Sequence, residues 1–228
     1  MLLSTDKAVA PASVMGATKR VGEQIVLGSG GTVLRLGNVL ASRNSVAEIF
    51  ARQIAQRGPV TVTDPAARRY FLTLDEAVNL LLIAASLPLC ASSLSRSLKK
   101  GRESMLLVPV LPAAHLIVDL AQFMVRKLAP GREIAIHFTG PRPGDKETEQ
   151  LWFAGDQTNT VDFGGMVEVE TALPAAPQLA AGLASLRAAL DARDLSDALT
   201  HLCALVPDYT PSQAMQALAR QCSSRVCL

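Results

Sequence analysis

The 228 residues predict an α/β fold followed by a helical hairpin. Two observations carry this. Short β-branched and apolar segments alternate with segments whose apolar residues recur every three and four positions, and from Pro174 onward the composition turns to Ala and Leu. A third is a pair of S/T-x-x-E capping boxes, Ser45 with Glu48 and Thr73 with Glu76, each placed where a helix has to start.

Residues 2 to 5 read as the end of a buried strand, and Pro11 suits the first turn of a helix that runs through Ile25 and is stopped by Gly28-Ser29-Gly30-Gly31. Thr32 to Leu36 is a short β-branched strand, and the helix capped by Ser45 ends near Gly58. A strand at Val60-Thr61-Val62 precedes the second boxed helix, with Ala77, Leu80, Leu81 and Ala84 on one face. Leu89 to Glu103, rich in Ser and basic residues, reads as a surface loop leading into the strand Met105 to Val110. Ile117, Leu120, Ala121, Met124 and Leu128 mark another helix, which Pro130-Gly131 ends before a strand at Ile134 to Phe138. In the hairpin, Leu179, Leu183, Leu186 and Leu190 share one helical face, and Leu195, Leu199 and Leu202 share another. This divides the chain into a body of residues 1–172 and a helical extension of residues 173–228.

Composition narrows the function. With 22 Lys and Arg against 20 Asp and Glu, the net charge of +2 gives no global electrostatic case for nucleic acid as a partner. The four cysteines, at positions 90, 203, 222 and 227, lack zinc spacing, so reduced thiols and no metal site are expected. No apolar run reaches the ~20 residues that span a bilayer, and Met1-Leu2-Leu3 gives way to Asp6 without the regions of a signal peptide. The expected location is cytoplasmic, with no membrane segment.

The residues that carry chemistry lie early. Thr5, Asp6 and Lys7 end the first strand, where side chains of an open α/β sheet face the ligand crevice. Met15 and Lys19 are four apart, which puts both on one helical face. A lysine there holds a ribose hydroxyl and lowers the pKa of a neighbouring hydroxyl. The bland reading stays open: a Thr-Asp pair before a helix also serves as a cap, and exposed lysines commonly only solvate a surface.

Ser4-Thr5-Asp6-Lys7-Ala8-Val9, Val14-Met15-Gly16-Ala17-Thr18-Lys19-Arg20, Arg35-Leu36-Gly37-Asn38-Val39-Leu40 and Arg142-Pro143-Gly144-Asp145-Lys146 together resemble the nucleotide-sugar 4,6-dehydratases of bacterial polysaccharide biosynthesis. These are extended short-chain dehydrogenase/reductases, and the nearest branch acts on UDP-N-acetylglucosamine. The resemblance covers residues 2 to 152 and returns at Leu205-Val206-Pro207-Asp208-Tyr209. It implies a Rossmann-like sheet and a reaction in which NAD+ oxidises the sugar at C4, water leaves across C5 and C6, and hydride returns to C6. Carried over by position, Thr5 would bond the C4 oxygen, Asp6 would protonate the departing C6 hydroxyl, and Lys7 would be the base at C5. Lys19 matches the lysine of the Y-x-x-x-K pair and would contact the cofactor, while Met15 stands at the tyrosine position, as in one branch of the family. A thioether neither donates nor accepts that proton, which leaves its transfer to Thr5, Lys19 or water.

The same resemblance implies a UDP-sugar site at Asn38, Arg43, Arg69, Arg142 and Lys146. An arginine fork suits a diphosphate. On the residues alone, Asn38 reads equally as a turn residue, Arg142 as a solvated turn charge, and Arg69 as an arginine stacked beside Tyr70 and Phe71.

A dinucleotide site needs a Gly-rich turn between a strand and a helix, with an acidic residue about 20 positions later. Gly28-Ser29-Gly30-Gly31 follows a helix and precedes a strand, so it reads as a helix end. The expected Rossmann-like sheet is therefore incomplete, its NAD-binding half supplied by another chain or a longer parent, and self-association is the other expected partner relation. Three functions remain: the catalytic and UDP-sugar-binding half of a dehydratase, a non-catalytic binding or assembly module of the same family, and a UDP-sugar 4-epimerase. Asp6-Lys7 argues against the last, because epimerisation needs no elimination across C5 and C6.

Overall fold

The computed structural model describes residues 1–40, 42–90, 104–153, 155–161 and 165–223. Along the chain run β1 (Leu2–Thr5), a short 3-10 turn (Asp6–Ala8), α1 (Val14–Gly28), β2 (Thr32–Leu36), β3 (Asn38–Val39), α2 (Val46–Ala55), β4 (Val60–Val62), β5 (Arg68–Arg69), β6 (Phe71–Leu72) and α3 (Leu74–Cys90). Then follow β7 (Met105–Pro109), β8 (His115–Leu116), α4 (Ile117–Leu128), β9 (Ile136–Phe138), β10 (Gln157–Val161), β11 (Met166–Glu170), α5 (Ala176–Asp191), α6 (Leu195–Leu205) and α7 (Gln213–Ser223).

The main sheet has the order β1-β2-β7-β11-β10, parallel from β1 through β7 and antiparallel beyond. The α/β fold is as the alternation predicts, and the parallel part of the sheet is Rossmann-like, as the resemblance implies. The expected strand near residue 136 does not join this sheet. β9 pairs in parallel with β4 in a separate two-stranded sheet, because α2 and α4 bury Phe50, Ile54, Ile117 and Ala121 against β4 in a second apolar cluster. β10 is polar up to Val161 and carries no strand alternation, whereas Val167-Glu168-Val169-Glu170 of β11 does alternate, a strand signal that the sequence reading missed. Most of the expected loop from Leu89 to Glu103 lies outside the described residues, and α3 includes Leu89 and Cys90.

Alternation on β2 sorts two layers. Leu34 and Leu36 meet Ala77, Leu80 and Ala84 of α3, while Val33 meets Leu27 of α1 with Leu106 and Val108 of β7. Arg35 points to the α1 side, where its Nε donates to Glu23 Oε1 at 2.8 Å and its Nη2 to Glu23 Oε2 at 2.6 Å. Both side chains are fully buried. Ser4 Oγ of β1 donates to Glu23 Oε1 at 2.6 Å, and Arg20 Nη1 to Glu23 Oε2 at 3.2 Å. Two further bonds reach distant chain: Arg35 Nη1 to the Leu151 carbonyl (3.2 Å) and Arg20 Nη2 to Thr171 Oγ1 (2.9 Å). Burial pushes the Glu23 carboxyl upward. The hydrogen bonds and charge of Arg35, with Ser4 and Arg20, outweigh it and hold the group below the ordinary glutamate range.

Both capping boxes form. Thr73 Oγ1 accepts from Glu76 N while Glu76 Oε2 accepts from Thr73 N, and Ser45 Oγ accepts from Glu48 N. In the Ser45–Glu48 box the return bond from Glu48 goes to Asn44 N, one residue earlier than expected. α1 starts at Val14 and not at Pro11, because Ser13 Oγ accepts from Gly16 N and caps it there. Its far end is a Schellman motif: Gly31 N donates to the Val26 carbonyl, Gly30 N to the Leu27 carbonyl, and Gly30 has φ +77°.

The expected hairpin is α5 and α6, extended by α7. Leu179, Leu202 and Leu205 share a cluster with Ala17 and Val21 of α1, so the helical extension rests on the helix that carries Met15 and Lys19. Leu190, expected on the same helical face as Leu179, is 57% exposed, while its neighbour Ala189 is buried. No helix among the described residues is long and apolar enough to cross a membrane.

Arg35→Leu, which strips Glu23 of its bidentate partner, is expected to lower unfolding free energy by about 3–5 kcal/mol, measured by urea denaturation. Because the Glu23 pKa is depressed in the folded state, the stability it contributes is present above the ordinary value near 4.5 and is lost as pH falls through the lower folded value. The urea midpoint is therefore expected to fall on acidification below that value, and to fall less steeply in Glu23→Gln.

Candidate active site

β1 ends beside the parallel strand β2, and the chain turns at once into the 3-10 turn, so Thr5, Asp6 and Lys7 sit at the carboxyl end of the sheet. Asp6 Oδ1 accepts from Thr5 Oγ1 at 2.8 Å and from Lys7 Nζ at 2.9 Å. Asp6 is fully buried, and its Oδ2 has no hydrogen-bond partner among the described residues. Lys7, with 30% of its side chain exposed, also reaches Asn38 Oδ1 at 3.5 Å. β3 pairs with β6 and thereby fixes Asn38 opposite Phe71, next to this turn.

Helix α1 presses its first turn on the same place. A Cβ on Gly16 would collide with the Lys7 carbonyl oxygen and stand 3.1 Å from Pro11 Cβ. The glycine between Met15 and Ala17 thus lets α1 touch the backbone of the candidate catalytic turn. Met15 is 49% exposed and lines the cleft. Lys19, one turn further on, is half-buried, makes no ion pair or hydrogen bond among the described residues, and does not line the cleft.

The cleft holds about 530 Å³, in the range of small-ligand sites. Lys7, Met15, Asn38, Arg69, Arg142 and Lys146 all line it. Arg43 lines an adjoining recess of about 250 Å³ that shares Lys7, Asn38, Asn44 and Val46 with the main cleft. Thr5 and Asp6 reach the cleft only through Lys7.

Besides Lys7, which pairs with Asp6, the three other cationic wall residues are already engaged. Arg69 Nη1 donates to the carbonyls of Arg68 (2.7 Å) and Glu147 (3.0 Å), and its Nη2 to that of Lys146 (2.9 Å). Arg142, 77% exposed, pairs with Asp145 at 3.1 Å. Lys146 Nζ donates to the Val9 carbonyl at 2.7 Å and lies 3.2 Å from Glu149. Sequence reasoning missed Glu149, Asn44 and Thr61, all on the cleft wall. Glu149 is signalled only by its i+3 spacing from Lys146, and Thr61 by nothing, because its place depends on a side-chain amide: Gln53 Nε2 donates to its hydroxyl at 2.7 Å. Arg20 and Glu23 were also unassigned. The clue was Arg35, a charge inside an apolar strand, which requires a buried partner.

For a dinucleotide, the chain offers Lys19 and the exposed Met15 face. The Gly-rich segment is spent on the Schellman motif, where a Cβ on Gly31 would meet Val26 Cγ1 at 2.7 Å, so it does not fit a pyrophosphate.

Gly16→Ala is expected to force α1 off the Lys7 carbonyl and destabilise the protein by about 1–3 kcal/mol, measured as a loss in thermal or urea midpoint.

Residues 1–171 match the model of the polysaccharide biosynthesis protein family. A probable polysaccharide biosynthesis protein EpsC of Bacillus subtilis is 44% identical over 158 residues, covering 66% of this chain and 24% of that protein. A UDP-glucose 4-epimerase of Rickettsia typhi is 33% identical over 178 residues, covering 74% and 48% respectively. Among solved structures, Pen from Bacillus thuringiensis is 26% identical with a TM-score of 0.59, covering 75% of this chain and 53% of that one. The chain thus spans a quarter to a half of the length of these relatives. It belongs to the polysaccharide biosynthesis protein family, with the fold of the extended short-chain dehydrogenase/reductases.

Proposed function

We propose that this chain forms the UDP-sugar-binding and proton-transferring part of a nucleotide-sugar 4,6-dehydratase acting on UDP-N-acetylglucosamine. The observation that carries this reading is the Asp6–Lys7 pair at the cleft end of β1, with 2.9 Å between Lys7 Nζ and Asp6 Oδ1. Elimination of water across C5 and C6 needs a base and an acid on one sugar edge. Proton transfer from the Lys7 ammonium to the Asp6 carboxylate turns the ion pair into a neutral amine and a carboxylic acid. The amine then takes the C5 proton, the acid gives its proton to the departing C6 hydroxyl, water leaves, and the ion pair is restored. Asp6 Oδ2, buried and without a hydrogen-bond partner among the described residues, is the oxygen free to carry that proton, and it meets the sugar only once Lys7, which stands between it and the cleft, moves aside. Thr5 serves the C4 oxygen.

NAD, when bound, supplies the oxidation at C4 that acidifies the C5 proton; Lys19 would hold its ribose, and the pyrophosphate site belongs to a further segment or chain. Asn38 and Arg43 face the sugar and diphosphate, and Arg142 reaches the nucleotide once it exchanges Asp145 for it.

A second reading, a UDP-sugar 4-epimerase, is supported by the Rickettsia relative. The two differ in product mass. Combined with a dinucleotide-binding half, NAD+ and UDP-N-acetylglucosamine, the chain is expected to yield a product lighter by one water in mass spectrometry. A C4-inverted product of unchanged mass establishes epimerisation instead. In the first case, Asp6→Asn is expected to lower kcat by about 10²–10⁴-fold with little change in KM.

A further inference from the structure

We infer that Lys146 and Glu149 form a latch that positions the Asp6-Lys7 turn, a role distinct from binding the UDP-sugar. The consequence for turnover rests on the dehydratase reading above; the latch itself does not. Lys146 Nζ holds the carbonyl of Val9 at 2.7 Å, and Val9 N in turn closes the 3-10 turn onto the Asp6 carbonyl at 3.2 Å. Two hydrogen bonds, joined through Val9, therefore link the lysine to the backbone of the candidate acid. Ala10, the next residue, has φ +39°, a conformation that a non-glycine residue keeps only where its surroundings enforce it. Such enforcement is present on both sides. Lys146 grips the carbonyl before Ala10, and Gly144, itself at φ +88°, lies so close to Ala12 that a Cβ would stand 2.8 Å from the Ala12 carbonyl oxygen.

The latch has a fixed base as well as a tip. The Arg69 guanidinium holds the carbonyls of Lys146 and Glu147, and Arg68 N donates to the Glu147 carbonyl at 2.7 Å. Glu149, 4% exposed, supplies a countercharge at 3.2 Å, an ion-pair contact without hydrogen-bond geometry. With 20% of its side chain exposed and two partners in place, Lys146 is engaged before any ligand arrives. Its spacing from Glu149, its bond to Val9 and the strain at Ala10 all serve the same turn.

Amide hydrogen exchange on the chain tests this. The double variant Lys146→Met, Glu149→Gln removes both charges and leaves no buried carboxylate alone. Exchange over residues 7–13 is expected to rise about tenfold or more while that of β2 and β7 holds, with the affinity for UDP by calorimetry within about threefold of wild type. Glu149→Gln alone, which removes the countercharge but leaves the lysine able to reach Val9, is expected to raise exchange over residues 7–13 by less than the double variant does. In the dehydratase assay the double variant is expected to lose at least about tenfold in kcat at unchanged KM. Unchanged exchange over residues 7–13, or a rise shared equally by β2 and β7, overturns the latch. A loss of UDP affinity with unchanged exchange overturns it in favour of a ligand role. If the wild-type chain neither binds UDP nor supports turnover, the proposed function fails, and the exchange comparison still decides the latch.

Discussion

Everything at the cleft depends on the buried ion pair of Glu23 and Arg35. A bidentate pair with both side chains fully buried is a poor source of net stability against an apolar alternative, but it leaves the chain little freedom. Because Ser4, Arg20 and Arg35 all converge on one carboxylate, β1, α1 and β2 have a single relative register. The bonds onward to Leu151 and Thr171 bring the segments on either side of β10 and β11 to the same point. A rotation of α1 about its axis would break this network, and the same rotation is what sets Gly16 against Lys7.

The cleft is consequently assembled from backbone contacts more than from its charged side chains. Gly16 admits the Lys7 carbonyl, Gly37 stands where a Cβ would meet the Tyr70 carbonyl at 2.8 Å, and Gly144 admits the Ala12 carbonyl. At these places the separation between segments is smaller than any side chain permits. The motif glycines therefore govern how closely the turn, the sheet and the outer wall approach, while Lys7, Asn38 and the arginines occupy the space that remains. The C-terminal helices add to the same restraint, since Tyr209 and Val206 are buried against α1 and Thr210 N bonds to the Pro11 carbonyl in the loop before it.

Local chemistry was well legible in the chain. Ser45 with Glu48 and Thr73 with Glu76 marked helix starts because a cap is satisfied within four residues, and the reversed order of helix and strand around Gly28–Gly31 marked a helix end for the same reason. The start of α1 was misplaced at Pro11 because proline at a first turn is permissive, whereas Ser13 Oγ accepts from the Gly16 N–H and decides it. The candidate site residues were legible as chemical types in a spacing, and most of them meet at one cleft. Which of them are free to act was not legible. Arg69 and Lys146 look like ligands in the sequence, yet their donors go to backbone carbonyls of segments far away along the chain.

The sequence by itself determined the alternation of elements, the helix caps, and the presence of an acid, an amine and a hydroxyl at the end of one strand, because each is settled by neighbours within a turn or a strand. Only the tertiary structure decided that β9 leaves the main sheet for β4, that Glu23 and Arg35 share a buried site, and that Lys146 holds Val9. These are choices between partners separated by tens to more than a hundred residues. They are settled by competition for buried surface and for unsatisfied polar groups, which no local pattern records.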